Sequence, residues 1–352
     1  MSHIPDIQRA WTVITRGVPA KALALKSDWP VPKKLEAGEV LIKVQAAALN
    51  PVGWKLMSFL PNLLANRPHV AEHDFSGVIV DANGTGFADG DQVFGWIPAT
   101  LQRKTKQGTL TQYLKVPVEY ILRRPSTVTP IEASGITLAA MTSYQALHTI
   151  AQLEPEQTIL INGGSTAVGA FAIQIAKARG AKVVATASGK NEDFVRRMGA
   201  DEFIDYTQIS LHRYLKENAP NPKYQVIYDA VALLDPSLYT FSKAYIAPNG
   251  VFITTGPMPH GFTISEVWNL LRTLGAICTP WWLGGVKAKY SLILVKNNVD
   301  DMKALQSLVT NGQLRPIVDS VHEFEGALEA YDRIMTSRAT GKVVVKVDPS
   351  VN

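Results

Sequence analysis

The run Ile159-Leu160-Ile161-Asn162-Gly163-Gly164-Ser165-Thr166-Ala167-Val168-Gly169 constrains this chain more than any other stretch. An apolar strand pattern enters a turn of small residues. The turn opens a helix with Val168, Phe171, Ala172 and Ile175 at helical spacing, ended by Gly180. Backbone N–H groups and the positive end of that helix then converge on one point, which suits a pyrophosphate. Gly164 fits the tight turn, and Gly169 lets the helix approach the sheet. Thr166 stands where a G-x-G-x-x-G turn has its middle glycine, so its side chain crowds the phosphates unless the loop shifts outward. The expected nucleotide-contacting set is Gly163, Gly164, Ser165, Thr166, Ala167, Val168 and Gly169. A glycine turn that serves only packing is the competing reading.

The surroundings favour the nucleotide. Beyond residue 125, strand and helix patterns alternate: Thr158 to Ile161, Ala167 to Arg179, Lys182 to Ala187, Asn191 to Met198, and Glu202 to Ile204. Tyr224 to Ala230 and Gly250 to Thr254 add two more strands. This alternation predicts a parallel, doubly wound sheet. The first third is β-rich instead, with Val40 to Val44, Gly77 to Asp81 and Gln92 to Phe94. The tail from about Val299 carries helices at Asp301 to Thr310 and Gly326 to Met335, then the strand Lys342 to Val347. The expected division is 1–124, 125–298 and 299–352, an α/β chain whose first part is β-rich.

An NAD-preferring site places an acid on the ribose about twenty residues past the glycine turn. Here the second strand ends in Thr186-Ala187-Ser188-Gly189-Lys190, a hydroxyl and a cation without an acid. Ser188 and Lys190 suit a 2′-phosphate, and Tyr206 can complete the pocket, so NADP(H) is the expected cofactor. Ser188 as a helix cap and Lys190 as a solvated lysine are the plainer alternatives, and Glu192 and Asp193 follow closely.

Composition excludes several classes. The net charge is +5, yet no run of five or six like charges occurs, so no nucleic-acid partner is expected. Cys278 is the only cysteine, which rules out an internal disulfide and any multi-thiolate site, and points to a reducing, cytoplasmic setting. The N-terminal Met1-Ser2-His3-Ile4-Pro5-Asp6 shows no secretory pattern. Ala133 to Leu153 lacks formal charge but holds Ser134, Thr137, Thr142, Ser143, Gln145, His148 and Gln152, which reads as buried helix and not as a membrane span.

Further segments fall in a familiar order. They are Gly38 to Val44, Ala48-Leu49-Asn50-Pro51-Val52, His73 to Val80, Gly90 to Gly95, Met141 to Leu147, Gly199-Ala200-Asp201-Glu202, and Ala339 to Val344. With them the chain resembles the medium-chain dehydrogenase/reductase superfamily, in its zinc-free quinone oxidoreductase and enone (enoyl) reductase branch. Asn50 to Lys55 and Gly163 to Thr166 look most like fungal and plant members. The resemblance covers nearly the whole length. It implies a GroES-like β-domain built from both chain ends and a central Rossmann domain.

That resemblance implies NADPH-dependent hydride transfer to a quinone or an α,β-unsaturated carbonyl, without zinc. A trans-acting enoyl reductase for carrier-bound polyketide or fatty-acyl chains is the alternative. A cofactor-binding protein with a structural or RNA-binding role is the alternative of another class. Zinc-dependent relatives use a His-Glu pair where this chain has His73-Asp74, and with one thiol in the chain His73 is expected to be a hydrogen-bonded structural histidine. Asn50 would lie near the nicotinamide ribose and Lys55 would face the substrate oxygen. Asn50 before Pro51 also reads as a helix cap, and Lys55 as a surface lysine. Many relatives carry an acid at the place of Gly53 and a tyrosine at that of Lys55. Thr142 would reach the cofactor or be a buried helix hydroxyl, and Thr255 and Gly256 would line the nicotinamide. Cys278 reads as a buried, inert thiol. Trp281 and Trp282 read as a lid, a membrane-touching patch or, preferred here, ordinary packing. Relatives often dimerise through Rossmann-sheet edges; Ser291 to Val295 supplies an edge or an internal strand.

Overall fold

The computed structural model describes residues 4–256 and 263–351; Met1, Ser2 and His3 of the N-terminal pattern lie outside the described residues. The chain splits into two compact units. One comprises Met1–Met141, Lys296–Gly312 and Pro316–Asn352, the other Thr142–Val295 and Gln313–Arg315.

The second unit is a Rossmann sheet. Its strands are β1 (Thr158–Asn162), β2 (Lys182–Ala187), β3 (Glu202–Asp205), β4 (Tyr224–Asp229), β5 (Ile246–Thr254) and β6 (Lys289–Leu292). They pair in the order β3-β2-β1-β4-β5-β6, and every neighbouring pair is parallel. The central strands are covered on both faces, which is why Ile159-Leu160-Ile161 and Val226-Ile227-Tyr228 read as unbroken apolar runs and are buried throughout. Strand order reverses between β1 and β4. Ligand crevices of open α/β sheets lie at the carboxyl ends of the strands at such a point.

β6 is the last strand of its sheet, so the edge alternative holds, although the strand begins at Lys289. Two expectations fail beside it. Cys278 is exposed, not buried. Trp281 and Trp282 are 63% and 68% exposed, so they are not ordinary packing. The Ile264–Cys278 helix turns Thr273 inward and leaves Val267, Trp268, Leu271 and Leu274 outward.

The first unit is mainly antiparallel. Its larger sheet orders the strands Val318–Glu323, Lys342–Lys346, Glu39–Ala48, Asp74–Asp81, Gln92–Trp96 and Ile121–Arg123, and Tyr113–Pro117 also pairs with Glu39–Ala48. Val344 lies against Ala48 and Val345 against Ala47, so the end of the chain joins the early sheet. A smaller sheet holds Leu23–Pro30, Ile7–Val13 and His69–Val70. Trp11, Leu49, Phe75, Leu114, Tyr331 and Val345 meet in one core. Each fully buried large apolar side chain contributes roughly 1.5–3 kcal/mol.

Ala133 to Leu153 is helical and largely buried but broken. Pro130–Ser134 starts with a Thr129–Glu132 capping box and stops at Gly135; Thr137–Tyr144 follows and continues as a π-helical turn over Gln145–Ile150. Among the described residues no helix is long and apolar enough to cross a membrane.

Candidate functional site

The glycine turn lies at the carboxyl end of β1, at the point where strand order reverses. Gly163, at φ +85°, takes the left-handed position expected of Gly164, and a Cβ on it would meet Val231 at 2.3 Å. A Cβ on Gly169 would meet the Gly163 carbonyl oxygen at 2.1 Å, so Gly169 permits the close approach of helix and turn. Thr166 does not crowd the turn. Its hydroxyl donates to the Gly163 carbonyl at 2.8 Å and accepts from the Gly169 N–H at 2.9 Å, capping the Ala167–Ala178 helix. The amides of Ser165, Ala167 and Val168 donate to no protein group among the described residues. They are the donors that the helix start presents to an anion.

β2 runs beside β1 and ends next to the same turn. Thr186 receives the Gly164 N–H on its carbonyl and the Gly163 N–H on its hydroxyl. Ser188, Gly189 and Lys190 follow directly. The Ser188 side chain makes no cap bond and accepts only from Asn191 Nδ2 at 3.3 Å. Lys190 is exposed and has no ion-pair partner among the described residues. Tyr206 is 49% exposed beyond β3.

One acid escaped the sequence reading. A Cβ on Gly189 would meet Asp205 Oδ2 at 2.6 Å, which places a carboxylate against the Ser188–Lys190 corner. The Thr207 hydroxyl holds that carboxyl below its ordinary range, helped by the Thr207, Gln208 and Gly189 donors. The parallel pairing of β2 with β3 sets Asp205 level with Ala187, and only that register shows the proximity.

Asp229, buried at the end of β4, ties the crevice together. It accepts from Asn162 Nδ2 at 2.9 Å and from the Leu233 N–H at 2.8 Å. Burial raises its pKa against those bonds. Thr255 and Gly256 follow β5, where the Thr255 N–H donates to the Asp229 carbonyl and Gly256 has φ +101°. Thr142 is a buried helix residue, and the next hydroxyl, Ser143, donates to the Val168 carbonyl at 2.7 Å.

A second constellation forms inside the first unit. Asn50 holds the N-cap position of the Pro51–Phe59 helix, with Pro51 at the first helical place, but its side chain makes no cap bond. Asn50 Nδ2 instead donates to Asp74 at 3.0 Å and to the Ala48 carbonyl at 3.2 Å. Lys342 Nζ donates to Asn50 Oδ1 at 2.5 Å and to Asp74 at 3.0 Å. The Asn50 side chain is 2% exposed and held by these bonds.

Glu72 joins the cluster, and sequence reasoning missed it. Tyr331 donates to Glu72 Oε1 at 2.6 Å and the Asn50 N–H to Oε2 at 3.1 Å. Burial pushes the carboxyl up to about 7, opposed by the Tyr331 hydroxyl, the Lys342 ammonium and the Asn50 N–H. A Cβ on Gly53 would stand 2.2 Å from Glu72 Oε1, so the acid occupies the space where a side chain at 53 would begin. The available signals were an acid directly before His73-Asp74 and a glycine inside the Pro51–Phe59 helix.

Gly53, Leu56, Met57 and Leu60 recur at helical spacing and line a cavity of about 210 Å³, together with Ala71, Glu72, His69, His73 and Ala99. Lys55 lies off this face and does not line the cavity. It is half-buried, its Nζ stands 5.9 Å from the Trp54 ring centre, and burial lowers its pKa. His73 Nδ1 bonds the Ile97 carbonyl at 2.8 Å, so Nδ1 carries the proton and the histidine is hydrogen-bonded as expected. Burial lowers the pKa of His69 to about 4, and among the described residues its buried Nδ1 has no partner.

These donors do not fit a zinc ion. His73 spends one nitrogen on a carbonyl, Asp74 is taken by Asn50, Lys342 and the Leu138 N–H, and Glu72 is held by Tyr331 and Asn50. Among the described residues no group of three or more His, Cys, Asp or Glu is placed to hold a metal.

Comparison with known proteins agrees with this architecture. Residues 36–126 match the alcohol dehydrogenase GroES-like domain and residues 198–345 the family described as zinc-binding dehydrogenase. The trans-enoyl reductase poxH of Penicillium oxalicum is 32% identical, over 96% of this chain and 97% of that protein. The chloroplastic NADPH-dependent alkenal/one oxidoreductase of Arabidopsis thaliana is 29% identical, over 98% of this chain and 81% of its own length. Among solved structures, the quinone oxidoreductase from Coxiella burnetii superposes with a TM-score of 0.77 at 24% identity, covering 97% of this chain and 99% of that one. The chain belongs to the medium-chain dehydrogenase/reductase superfamily and is an oxidoreductase of that class.

Proposed function

We propose that the protein is a zinc-free, NADPH-dependent reductase that passes hydride to a quinone or to the double bond of an α,β-unsaturated carbonyl. The observation that carries this reading is the Gly163–Gly169 turn. Its unengaged Ser165, Ala167 and Val168 amides lie at the strand-order reversal, one strand from the unpaired Lys190 cation. The names of the plant and fungal relatives support an enone or enoyl acceptor.

Bound NADPH supplies the hydride. The turn amides hold the pyrophosphate, and Ser188, Lys190 and Tyr206 hold the 2′-phosphate. Thr142, Thr255 and Gly256 line the nicotinamide side. Lys55, a desolvated ammonium with no ion-pair partner among the described residues, stabilises negative charge developing on the acceptor oxygen. Asn50 is a positioning residue: its amide fixes Lys342 and Asp74 around the helix start that carries Lys55.

A second reading starts from the fungal relatives named trans-enoyl reductases and makes the acceptor of this chain an enoyl group carried on another protein. One panel separates the two: NADPH and NADH oxidation against a quinone, a short enone, a long enal and an enoyl thioester. Turnover of free enones or quinones with NADPH is the expected result. Turnover confined to the thioester selects the carrier-bound reading, and failure of every acceptor overturns both.

A further inference from the structure

The cavity beside the Pro51–Phe59 helix has features that a packing defect lacks. It measures about 210 Å³ and opens to solvent past the exposed Ala99, Thr100 and Arg103. An apolar cavity of about 150 Å³ accepts benzene, so a six-membered ring bearing a carbonyl fits. Leu56, Met57, Leu60, Ala65 and Ala71 make the wall apolar. His69 also lines it, 8% exposed, with Nδ1 lacking a partner among the described residues.

Glu72 is placed there at some cost. Its backbone is left-handed, φ +66°, a conformation that costs an L-residue energy. Gly53 gives up its side chain to admit the carboxyl. Strain of this kind collects where a ligand is handled. The hydrogen-bond inventory then indicates which ligand. Both named partners of the carboxyl, the Tyr331 hydroxyl and the Asn50 N–H, donate to it. A protonated carboxyl adds an O–H of its own, which needs an acceptor. A ketone oxygen is one. A cation fits worse, because Arg67 and Arg103 line the same wall.

We propose that this cavity binds the carbonyl end of a small neutral ketone, with the Glu72 carboxyl donating to the carbonyl oxygen. The site does not rest on the reductase reading, in which the acceptor oxygen lies at Lys55, outside this cavity.

The groups that share the electrostatics of Glu72 are Tyr331, Lys342, Asp74, and His69, His73, Arg67 and Arg103 of the wall. Burial holds both histidines below their ordinary range and pushes Glu72 up to about 7.

The test is cyclohexanone binding to the full chain without cofactor, read by ligand-observed NMR at pH 6 and pH 8. Cyclohexanone has no alkene, so it cannot alkylate the exposed Cys278. Binding should be about tenfold tighter at pH 6, the ratio of protonated Glu72 for a pKa near 7. Glu72→Gln keeps a donor at every pH and should bind with no pH dependence. Ala99→Trp, at an exposed part of the lining, should abolish binding without disturbing the core. Equal wild-type affinity at both pH values, or unchanged binding in Ala99→Trp, overturns the site. NADPH oxidation with cyclohex-2-enone is scored separately. Ketone binding without turnover keeps the cavity and removes the reductase reading; turnover without pH-linked ketone binding does the reverse.

Discussion

Tyr331 donates a 2.6 Å hydrogen bond to Glu72, joining residues 259 positions apart in the chain, and both are buried. The bond stabilises the ionised carboxylate, yet desolvation outweighs it and leaves the acid titrating near 7. The folded pKa is raised above the ordinary 4.5, so the penalty is small below pH 4.5 and complete above pH 7. Stability therefore declines with rising pH across that window. Between pH 5 and pH 8 the loss is about 2–3 kcal/mol. Urea unfolding of wild type and Glu72→Gln at both pH values should show the variant gaining that much on wild type as pH rises. Parallel pH profiles would remove Glu72 as the source.

His69 acts on the other side. Its folded pKa, about 4, is depressed from 6.5, so the stability tied to its neutral form is complete above pH 6.5 and lost as pH falls toward 4. The full effect is roughly 3 kcal/mol. His69→Leu should flatten the acid limb of the unfolding profile. An unchanged limb would mean that other groups drive acid unfolding.

The parts legible in sequence were local ones. The strand–turn–helix at Ile159 to Gly169 carries its own signal, since Gly169 answers to the Gly163 carbonyl six residues before it. Alternation of apolar runs likewise announced a parallel sheet. Roles fixed by distant partners were not legible. Glu72 depends on the missing Cβ of Gly53 and on Tyr331; Asn50 is turned from a cap into an anchor by Lys342. The apolar spacing of the Ile264–Cys278 helix says that it has a face, but not that the face points outward.

Thr166 replaces a glycine yet serves the turn, so Thr166→Val should cost about 1–2 kcal/mol through the lost cap. The same change should weaken NADPH and NADH alike, because it loosens the pyrophosphate turn and not the 2′-phosphate corner. Calorimetric stability and cofactor titration check both. A loss confined to NADPH would place Thr166 at the wrong end of the cofactor.

Lys55 is half-buried, and its pKa is lowered by desolvation. Lys55→Ala should reduce kcat on enones by about tenfold or more, as expected when a charge-stabilising group is removed. NADPH affinity should stay near normal. Unchanged turnover would return Lys55 to the role of a packing lysine over Trp54.

The Ser188–Lys190 corner holds opposing charges, and in the proposed reading their balance sets the cofactor preference. Lys190 is unpaired and exposed, while Asp205 stands against Gly189. Removing the cation should weaken NADPH by about tenfold and leave NADH nearly unchanged, because a charge-assisted bond is lost only with the phosphorylated ribose. Asp205→Asn should move the ratio the other way, since it removes a repulsion that only the 2′-phosphate feels. Both shifts should shrink at high salt, as exposed charges are screened. Fluorescence titration of the two variants with both cofactors measures the ratio directly. Equal losses for NADPH and NADH in Lys190→Ala, with no change in Asp205→Asn, would show that the 2′-phosphate binds elsewhere.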